Sequence, residues 1–184
     1  MPHNYQLILI VFLALIPTTV NAMTPPKSGN VDITMRSGHP CFSYPQDKYV
    51  LKLHYSFGSL DVSDVRHGGG WEIGLSDPYN KKELLEPNSP ETCIKYGVLN
   101  SGMKETQPAE LLRFDAPYKV RMWVISRSDG FSERWYASDF CLTRGAKGET
   151  ILVNAVWNDD ATAMKCLIPG ESPKRSFWQK LFGK

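Results

Sequence analysis

The chain has 184 residues, of which 42% are hydrophobic, and its formal net charge at pH 7 is +2. This length suffices for one domain with a hydrophobic core of its own. The small net charge, without a basic stripe in the main body, argues against a nucleic-acid-binding protein, because that class carries clustered Lys and Arg.

The N-terminus has the pattern of a secretion signal, predicted over residues 1–22. Residues 7–16 form an unbroken apolar run that is too short to span a bilayer comfortably, and Pro17 ends it. Val20 and Ala22 place small residues at the two positions that a signal peptidase reads, so cleavage is predicted after Ala22. The segment before the run has no Lys or Arg, which leaves an uncut membrane anchor as the alternative. No cysteine follows the run directly, so a lipoprotein is not expected.

Four cysteines follow the signal, and an even number in an exported chain indicates two disulfides. No two of them have the Cys-x-x-Cys spacing of a zinc knuckle or a thioredoxin site. We predict the pairs Cys41–Cys93 and Cys141–Cys166, since each pair then joins strands of one β-domain. The predicted location is the bacterial periplasm, and the absence of any Asn-x-Ser/Thr sequon favours it mildly over a eukaryotic secretory route.

The predicted domain covers residues 31–168 and follows a linker at residues 23–30. In its first half, alternation of apolar and polar residues predicts strands. These strands are residues 31–36, 39–45, 48–57 and 71–75. Residues 58–70, which end in three glycines, are predicted to form a polar loop. Residues 76–91 are predicted to form a second long loop, with one turn of helix at residues 82–85.

The second half of the domain shows the same strand pattern. Its predicted strands are residues 92–97, 116–125, 134–142, 149–158 and 164–168. Almost no helical period precedes residue 170. Many short strands joined by Gly- and Pro-bearing turns predict an all-β fold, and we expect a single immunoglobulin-like β-sandwich.

The basic aromatic C-terminal segment, residues 169–184, differs from the domain. Ser172 can cap a helix and Pro173 suits its first position. One face of this predicted amphipathic helix carries four candidate interaction residues, Phe177, Trp178, Leu181 and Phe182. Three placements remain open: folded back on the sandwich, on an anionic membrane surface, or docked on a partner protein. The exposed placements are favoured, with the membrane surface slightly ahead.

No catalytic, metal-binding or cofactor-binding pattern is recognisable. His67 and the glycines after it resemble the oxyanion-hole loop of some esterases, but the Gly-x-Ser-x-Gly elbow of those enzymes is absent. The mature chain has histidines at positions that are too far apart for a metal pair, namely His39, His54 and His67. The acidic pairs Asp61/Asp64 and Asp159/Asp160 lack the ligand count of a calcium loop. The chain is therefore predicted not to be an enzyme and to hold no metal or cofactor.

Tryptophans supply the remaining candidates in the domain. An aromatic binding face could be formed by Trp71, Trp123, Trp135 and Trp157. In a sandwich such residues are more often core or rim residues, and core positions are favoured because large aromatic residues dominate core burial. Trp123 is the exception, since it shares a strand face with Arg121, opposite the apolar residues of its strand. An exposed tryptophan beside an arginine is typical of interface hot spots, so Arg121 and Trp123 are candidate interaction residues.

Three spaced motifs carry a family resemblance. They are Cys-Ile-x-Tyr-Gly, then Pro-Tyr-x-Val after a Pro/Ala loop with leucine, then Tyr-x-x-x-Phe-Cys-Leu. The matching positions are Cys93, Ile94, Tyr96 and Gly97; Pro108, Ala109 and Leu111 or Leu112; Pro117, Tyr118 and Val120; and Tyr136, Phe140, Cys141 and Leu142. This pattern resembles a group of small exported bacterial proteins, usually lipoproteins, that are described as immunity proteins of type VI secretion systems. The chain departs from that group in lacking a lipobox and in adding Cys166 and the C-terminal segment.

The resemblance implies a non-enzymatic periplasmic module that binds a protein partner, a toxic effector, and blocks it. The alternative is a structural or accessory cell-envelope protein whose C-terminal helix binds the membrane surface. A hydrolase is the least favoured class, because neither a nucleophile nor a metal pattern is present.

The signal predicts a defined mature N-terminus. The exported protein is expected to begin at Met23 and to be released by osmotic shock without detergent, because cleavage removes the long apolar run. Intact-mass measurement of the released protein checks this. An uncleaved N-terminus, or a diacylglyceryl adduct, would contradict it.

Overall fold

The computed structural model describes residues 28–47, 50, 54–77, 85–126, 132–158 and 160–168. Ten strands lie in this described part. In chain order they are β1 (Asp32–Arg36), β2 (His39–Ser43), β3 (Tyr55–Asp64), β4 (Gly70–Leu75), β5 (Ile94–Lys95), β6 (Met103–Gln107), β7 (Tyr118–Ser126), β8 (Glu133–Arg144), β9 (Thr150–Trp157) and β10 (Met164–Cys166). They form two antiparallel sheets, one of three strands in the order β1-β2-β5 and one of seven in the order β10-β9-β8-β7-β3-β4-β6.

The central strand β7 shows why the large sheet has two different faces. Every second residue of this strand is buried, and Val120, Met122 and Val124 are fully buried. The side chains of the residues between them, including Arg121 and Trp123, lie on the opposite side of the sheet. An antiparallel sheet with one face on the core produces this alternation. We call the side with Val120 the inner face and the side with Trp123 the outer face.

The three-stranded sheet packs on the inner face through aromatic side chains. The rings of Phe42 in β2 and Phe140 in β8 have centroids 5.8 Å apart, and those of Tyr44 and Tyr136 are stacked at 5.9 Å. All four side chains are essentially inaccessible to solvent. The same core includes Val31, Phe57, Leu60, Val62, Trp71, Ile73, Ile94 and Tyr118. The predicted all-β, sandwich-like fold is confirmed, and its immunoglobulin-like type stays a prediction.

One strand prediction in the first half of the chain is wrong in its starting point. The strand predicted at residues 48–57 begins only at Tyr55. Val50 lies in a helical turn, in which its amide donates to Asp47 Oδ1 (2.9 Å) and its carbonyl accepts from the His54 amide (3.0 Å). An aspartate that caps a turn in this way competes with extended structure, which the apolar alternation alone does not reveal.

The loop predicted at residues 58–70 is also wrong in its first half, because β3 continues to Asp64. Leu60 and Val62 are fully buried on the inner face, whereas the polar residues that alternate with them, Ser59, Asp61 and Ser63, lie on the outer face. The predicted turn is found after Asp64 and joins β3 to β4. Gly70, which ends it, has φ of 148°, and a Cβ there would lie 1.8 Å from the Val62 carbonyl oxygen, so only glycine fits.

Strand β6 was not predicted, because it lacks apolar alternation. Only Met103 is buried in this strand, which forms one edge of the large sheet beside β4. Strands β7, β8 and β9 agree with their predictions within two residues, whereas the strand predicted at residues 92–97 is only Ile94–Lys95. Of the predicted helical turn at residues 82–85, only Leu85 is described, and it is not helical. The predicted signal peptide and the C-terminal segment, residues 169–184, lie outside the described residues.

Both disulfides are present in the predicted pairing. Cys41 of β2 is bonded to Cys93, just before β5, with Cα atoms 5.5 Å apart. Cys141 of β8 is bonded to Cys166 of β10, with Cα atoms 5.7 Å apart. The first bond ties the neighbouring strands of the small sheet, and the second ties the edge strand β10 back to β8. Disulfides persist in oxidising environments, so this pairing is compatible with an exported protein.

Each disulfide is expected to stabilise the folded chain by roughly 3–4 kcal/mol in the chain-entropy model, since the bonds close loops of 52 and 25 residues. Cys→Ala double variants of each pair should lower the urea midpoint accordingly, with the longer loop giving the slightly larger loss. Peptide mapping without reduction checks the pairing itself. Recovery of Cys41 linked to Cys141 would overturn it.

Candidate functional site

A groove of about 380 Å³ opens between the small sheet and the segment formed by residues 108–115. We call this segment the anchored loop. The wall on the small-sheet side includes Pro40, Tyr96, Gly97 and Val98, and the wall on the loop side includes Ala109, Leu111, Leu112 and Phe114. The lining is thus mostly apolar. Val98 and Phe114 are partly exposed, and the Leu111 side chain is 96% exposed at the rim.

Two tyrosines of the core hold the anchored loop in place. The Tyr96 hydroxyl donates to the Glu110 carbonyl (2.8 Å), and the Arg113 amide donates to the Tyr118 hydroxyl (2.8 Å). The rings of both tyrosines are buried. Leu111 lies between these two attachment points, so its exposure is imposed by a fixed backbone.

The end of the anchored loop is attached to strand β8. The Asp115 amide donates to the Leu142 carbonyl (2.8 Å), and Phe114 forms a parallel bridge with Leu142. The Arg144 guanidinium lies 4.2 Å from the centre of the Phe114 ring, in a cation–π arrangement. Phe114 is thereby fixed as one wall of the groove.

A buried carboxylate, Asp64, anchors the same loop electrostatically. The side chain of Asp64 is 7% exposed, forms an ion pair with Arg113, and accepts the backbone amides of Arg66 (2.8 Å) and His67 (3.1 Å). Burial alone raises the pKa of Asp64, but these hydrogen bonds, led by that of Arg113, outweigh burial and lower the pKa to about 2. Asp64 is therefore ionised at neutral pH and holds Arg113 against the end of β3.

The Tyr96 phenol stays protonated as a donor. Burial first, and then the neighbouring Tyr118 and Glu110, raise the pKa of Tyr96 to about 12, against the opposing effect of the hydrogen bond to the Glu110 backbone. A neutral hydroxyl is needed to donate to the Glu110 carbonyl. This contact of the anchored loop therefore persists throughout the neutral pH range.

The candidate interaction residues Arg121 and Trp123 lie on the outer face, away from the groove. The Arg121 guanidinium of β7 forms an ion pair with Asp61 of the neighbouring strand β3, with Nε and Nη2 at 2.9 and 2.8 Å from Oδ1. Trp123 is partly exposed and pairs with Trp135 of β8, with ring centroids 6.0 Å apart and planes tilted by 33°. The structure therefore places both predicted residues on one face, as expected from strand alternation.

The core predictions for tryptophan are only partly right. Trp71 is fully buried, and its Nε1 donates to Glu105 of β6 (2.8 Å). Trp157 is 52% exposed, so its core prediction is wrong. Trp135 is partly buried on the outer face, because its neighbour Tyr136 takes the inner face of β8. Strand alternation from Tyr136 would have placed Trp135 correctly.

The sequence patterns did not predict the groove, although Leu111 and Leu112 are among the positions that carry the resemblance. Leu111 and Leu112 follow Pro108 in a stretch without strand period, where two adjacent apolar residues cannot both face the core. Leu112 packs against the core, and Leu111 is exposed. That mismatch is a usable sequence signal. The four C-terminal candidates, Phe177, Trp178, Leu181 and Phe182, lie outside the described residues, and the membrane-surface contact stays a prediction.

Within the described ranges, no group of three His, Cys, Asp or Glu side chains is arranged to hold a metal ion. Among those same residues no helix is long and apolar enough to cross a membrane. Comparisons with models of protein families, with curated proteins and with solved structures found no match.

The Asp64–Arg113 contact predicts a specific loss of stability. Asp64→Asn removes the charge and should lower the free energy of unfolding at pH 7 by roughly 1–3 kcal/mol, because Arg113 loses its buried partner. Asp61→Asn is the matched control. Its pair with Arg121 is more exposed, and its loss should cost less than about 1 kcal/mol.

The pH dependence of unfolding gives an independent check. The pKa of Asp64 is lowered in the folded state from 3.8 to about 2. Its stabilising contribution is therefore complete above pH 3.8 and is lost as the pH falls through about 2. Urea titrations between pH 5 and pH 2 should show this loss in the wild type, and Asp64→Asn should lack that part of it. Identical pH profiles for the two proteins would contradict the assignment.

Proposed function

We propose that the protein is an exported, non-enzymatic binding module that neutralises a toxic effector protein by covering part of its surface, with the groove as the docking site. The observation that carries this proposal is Leu111. Its side chain is 96% exposed at the rim of an apolar groove, on a loop fixed by hydrogen bonds on both sides. Exposing a leucine to water is unfavourable, and a fixed backbone prevents it from collapsing onto the groove.

A preformed apolar groove binds a protein partner more favourably than a flexible groove would. Association is weakened by the entropy of ordering loops and side chains, and the anchored loop is already ordered. Interface energy concentrates in a few large side chains near the centre of a contact, surrounded by a polar rim. Here Leu111 and Phe114 provide the apolar centre, and Lys95 and Glu110 provide charges of both signs at the edge.

The partner inferred for the groove therefore presents a large apolar side chain, Leu, Phe or Met, from a surface without a strong net charge. Such a side chain fills the space between Val98 and Leu111, which lie on opposite walls. Leu111 in turn inserts into the partner. Reciprocal insertion of this kind excludes water from both side chains and gives shape specificity.

The resemblance to immunity proteins of type VI secretion systems supports the choice of a toxic effector as partner. Its matching positions include Tyr96, Gly97, Ala109, Leu111 and Leu142, and all five line the groove. Most of the other matching positions, among them Ile94, Val120 and Phe140, are buried in the core. Because both disulfides are compatible with an oxidising compartment, the proposed location is the periplasm.

The protein encoded next to this chain is the probe for the proposal. Its expression in the periplasm should stop growth, and co-expression of this chain should restore growth. Leu111→Asp should abolish the protection and weaken binding of the purified pair by roughly thirtyfold or more, since it places a charge at the centre of the contact. Surface plasmon resonance measures the binding.

Ile168→Asp is the matched control, because Ile168 is 71% exposed and does not line the groove. It should protect as well as the wild type, and both variants should melt within a few degrees of it. Protection by Leu111→Asp at wild-type level would remove the groove from the proposal. A neighbouring protein that is harmless in the periplasm would remove the immunity function.

A further inference from the structure

The outer face of the large sheet contains a second depression, of about 350 Å³, next to the tryptophan pair. Its lining consists of Gly58 and Ser59 of β3, Trp123 and Ile125 of β7, and Glu133 of β8. These residues lie on the side of the sheet opposite the core, because Val124 between Trp123 and Ile125 is fully buried on the inner face. The depression is therefore separate from the groove beside Leu111.

A β-bulge at Gly58 keeps the depression open. The pairing of β3 with β7 shifts register between Phe57 and Ser59. A Cβ at position 58 would lie 3.2 Å from the Ile125 side chain and 3.2 Å from the Trp123 carbonyl oxygen, so a larger residue would fill this space. Bulges recur beside functional sites, where they change the direction of side chains.

The backbone of this face cannot bind a peptide by strand addition. Strand β3 is paired on both sides, with β7 and β4, and β7 is paired with β3 and β8. Ladder hydrogen bonds therefore occupy the backbone donors and acceptors on both edges of these strands. An extended peptide that binds by strand addition needs a free sheet edge for its main-chain hydrogen bonds. A ligand on this face must therefore be recognised by side chains.

The charges of the face also restrict the ligand. Arg121 is paired with Asp61, and Lys119 lies 4.0 Å from Asp139, so the positive charges of β7 are balanced by acids on the neighbouring strands. Glu133 at the depression adds a negative charge. This surface does not attract an anionic membrane or a nucleic acid, which would require unbalanced Lys and Arg. The complementary ligand is therefore not an anion.

We propose that this depression binds a neutral oligosaccharide. A pyranose ring has an apolar face of C–H groups, whose partial positive charge is attracted to the negative face of an indole ring. Its hydroxyl groups are both donors and acceptors, and can therefore bond to the Glu133 carboxylate and the Ser59 hydroxyl that line the depression. Aromatic side chains combined with a few polar groups are typical of small-ligand sites. This inference concerns a different surface from the groove and does not depend on the immunity function.

The competing explanation is that Trp123 and Trp135 only stabilise the sheet as a cross-strand pair. That role would account for the contact between the rings. It does not account for the open space maintained by Gly58, or for the polar groups grouped around it. Ligand binding and sheet stabilisation therefore predict different results for a variant in which the depression is filled and both rings are kept.

Isothermal titration with chitotetraose, cellotetraose and maltotetraose tests the proposal on the full mature chain. At least one of these neutral tetrasaccharides should bind and change the tryptophan fluorescence. Trp123→Ala should weaken the binding by about tenfold or more. Ser59→Arg, which fills the depression and leaves both rings in place, should abolish it with little change in melting temperature.

Trp157→Ala is the matched control, since Trp157 is an exposed tryptophan of β9 that does not line the depression. It should bind the same sugar with wild-type affinity. The proposal is overturned if none of the three sugars binds, or if Ser59→Arg binds as well as the wild type. Loss of binding in Trp157→Ala would assign the sugar to another surface and would overturn it equally.

Discussion

Aromatic packing between the two sheets is the contact on which the rest of this structure depends. The small sheet has only three strands, and one of them, β5, has two residues. Such a sheet is not stable alone and needs a partner face. The large sheet provides this face, because Phe140 and Tyr136 of β8 pack against Phe42 and Tyr44. The Cys41–Cys93 bond then fixes the short strand beside its neighbour.

The same aromatic layer determines the shape of the groove. Tyr118 stacks on Phe140 in the core with ring centroids 5.5 Å apart, while its hydroxyl accepts the Arg113 amide of the anchored loop. Tyr96 packs edge-on against Trp71 at 5.0 Å and donates to Glu110 of that loop. Each tyrosine therefore has its ring in the core and its polar end at the surface. Core packing and loop position are physically coupled through these two residues.

Much of the fold was predictable from the sequence, because strand alternation is a strong signal where one face is buried. It placed Arg121 and Trp123 on the outer face, and it identified β7, β8 and β9 within two residues. The even cysteine count, together with the strand assignment, led to the correct pairing. These features are encoded in local patterns of period two.

The remainder depended on contacts that local patterns do not contain. The Asp47 cap diverts Val50 into a helical turn although the apolar alternation continues through it. The polar edge strand β6 is recognisable only from its pairing with β4. Leu111 owes its exposure to Tyr96 and Tyr118, whose rings are buried in the core and whose hydroxyls hold the backbone on both sides of it. Fold class was therefore accessible from the sequence, whereas the groove was not.

The fixed position of the anchored loop also has a kinetic consequence. Because the backbone that carries Leu111 and Phe114 is held in place before any partner arrives, the binding proposed at the groove would require no slow rearrangement of this chain. Encounter then proceeds at the rate set by diffusion and orientation, which differs little among related partners. If the proposed function holds, discrimination between cognate and non-cognate partners would therefore be expressed in how long each complex lasts. Most encounters would form quickly, and only complexes that fit around Leu111 would persist.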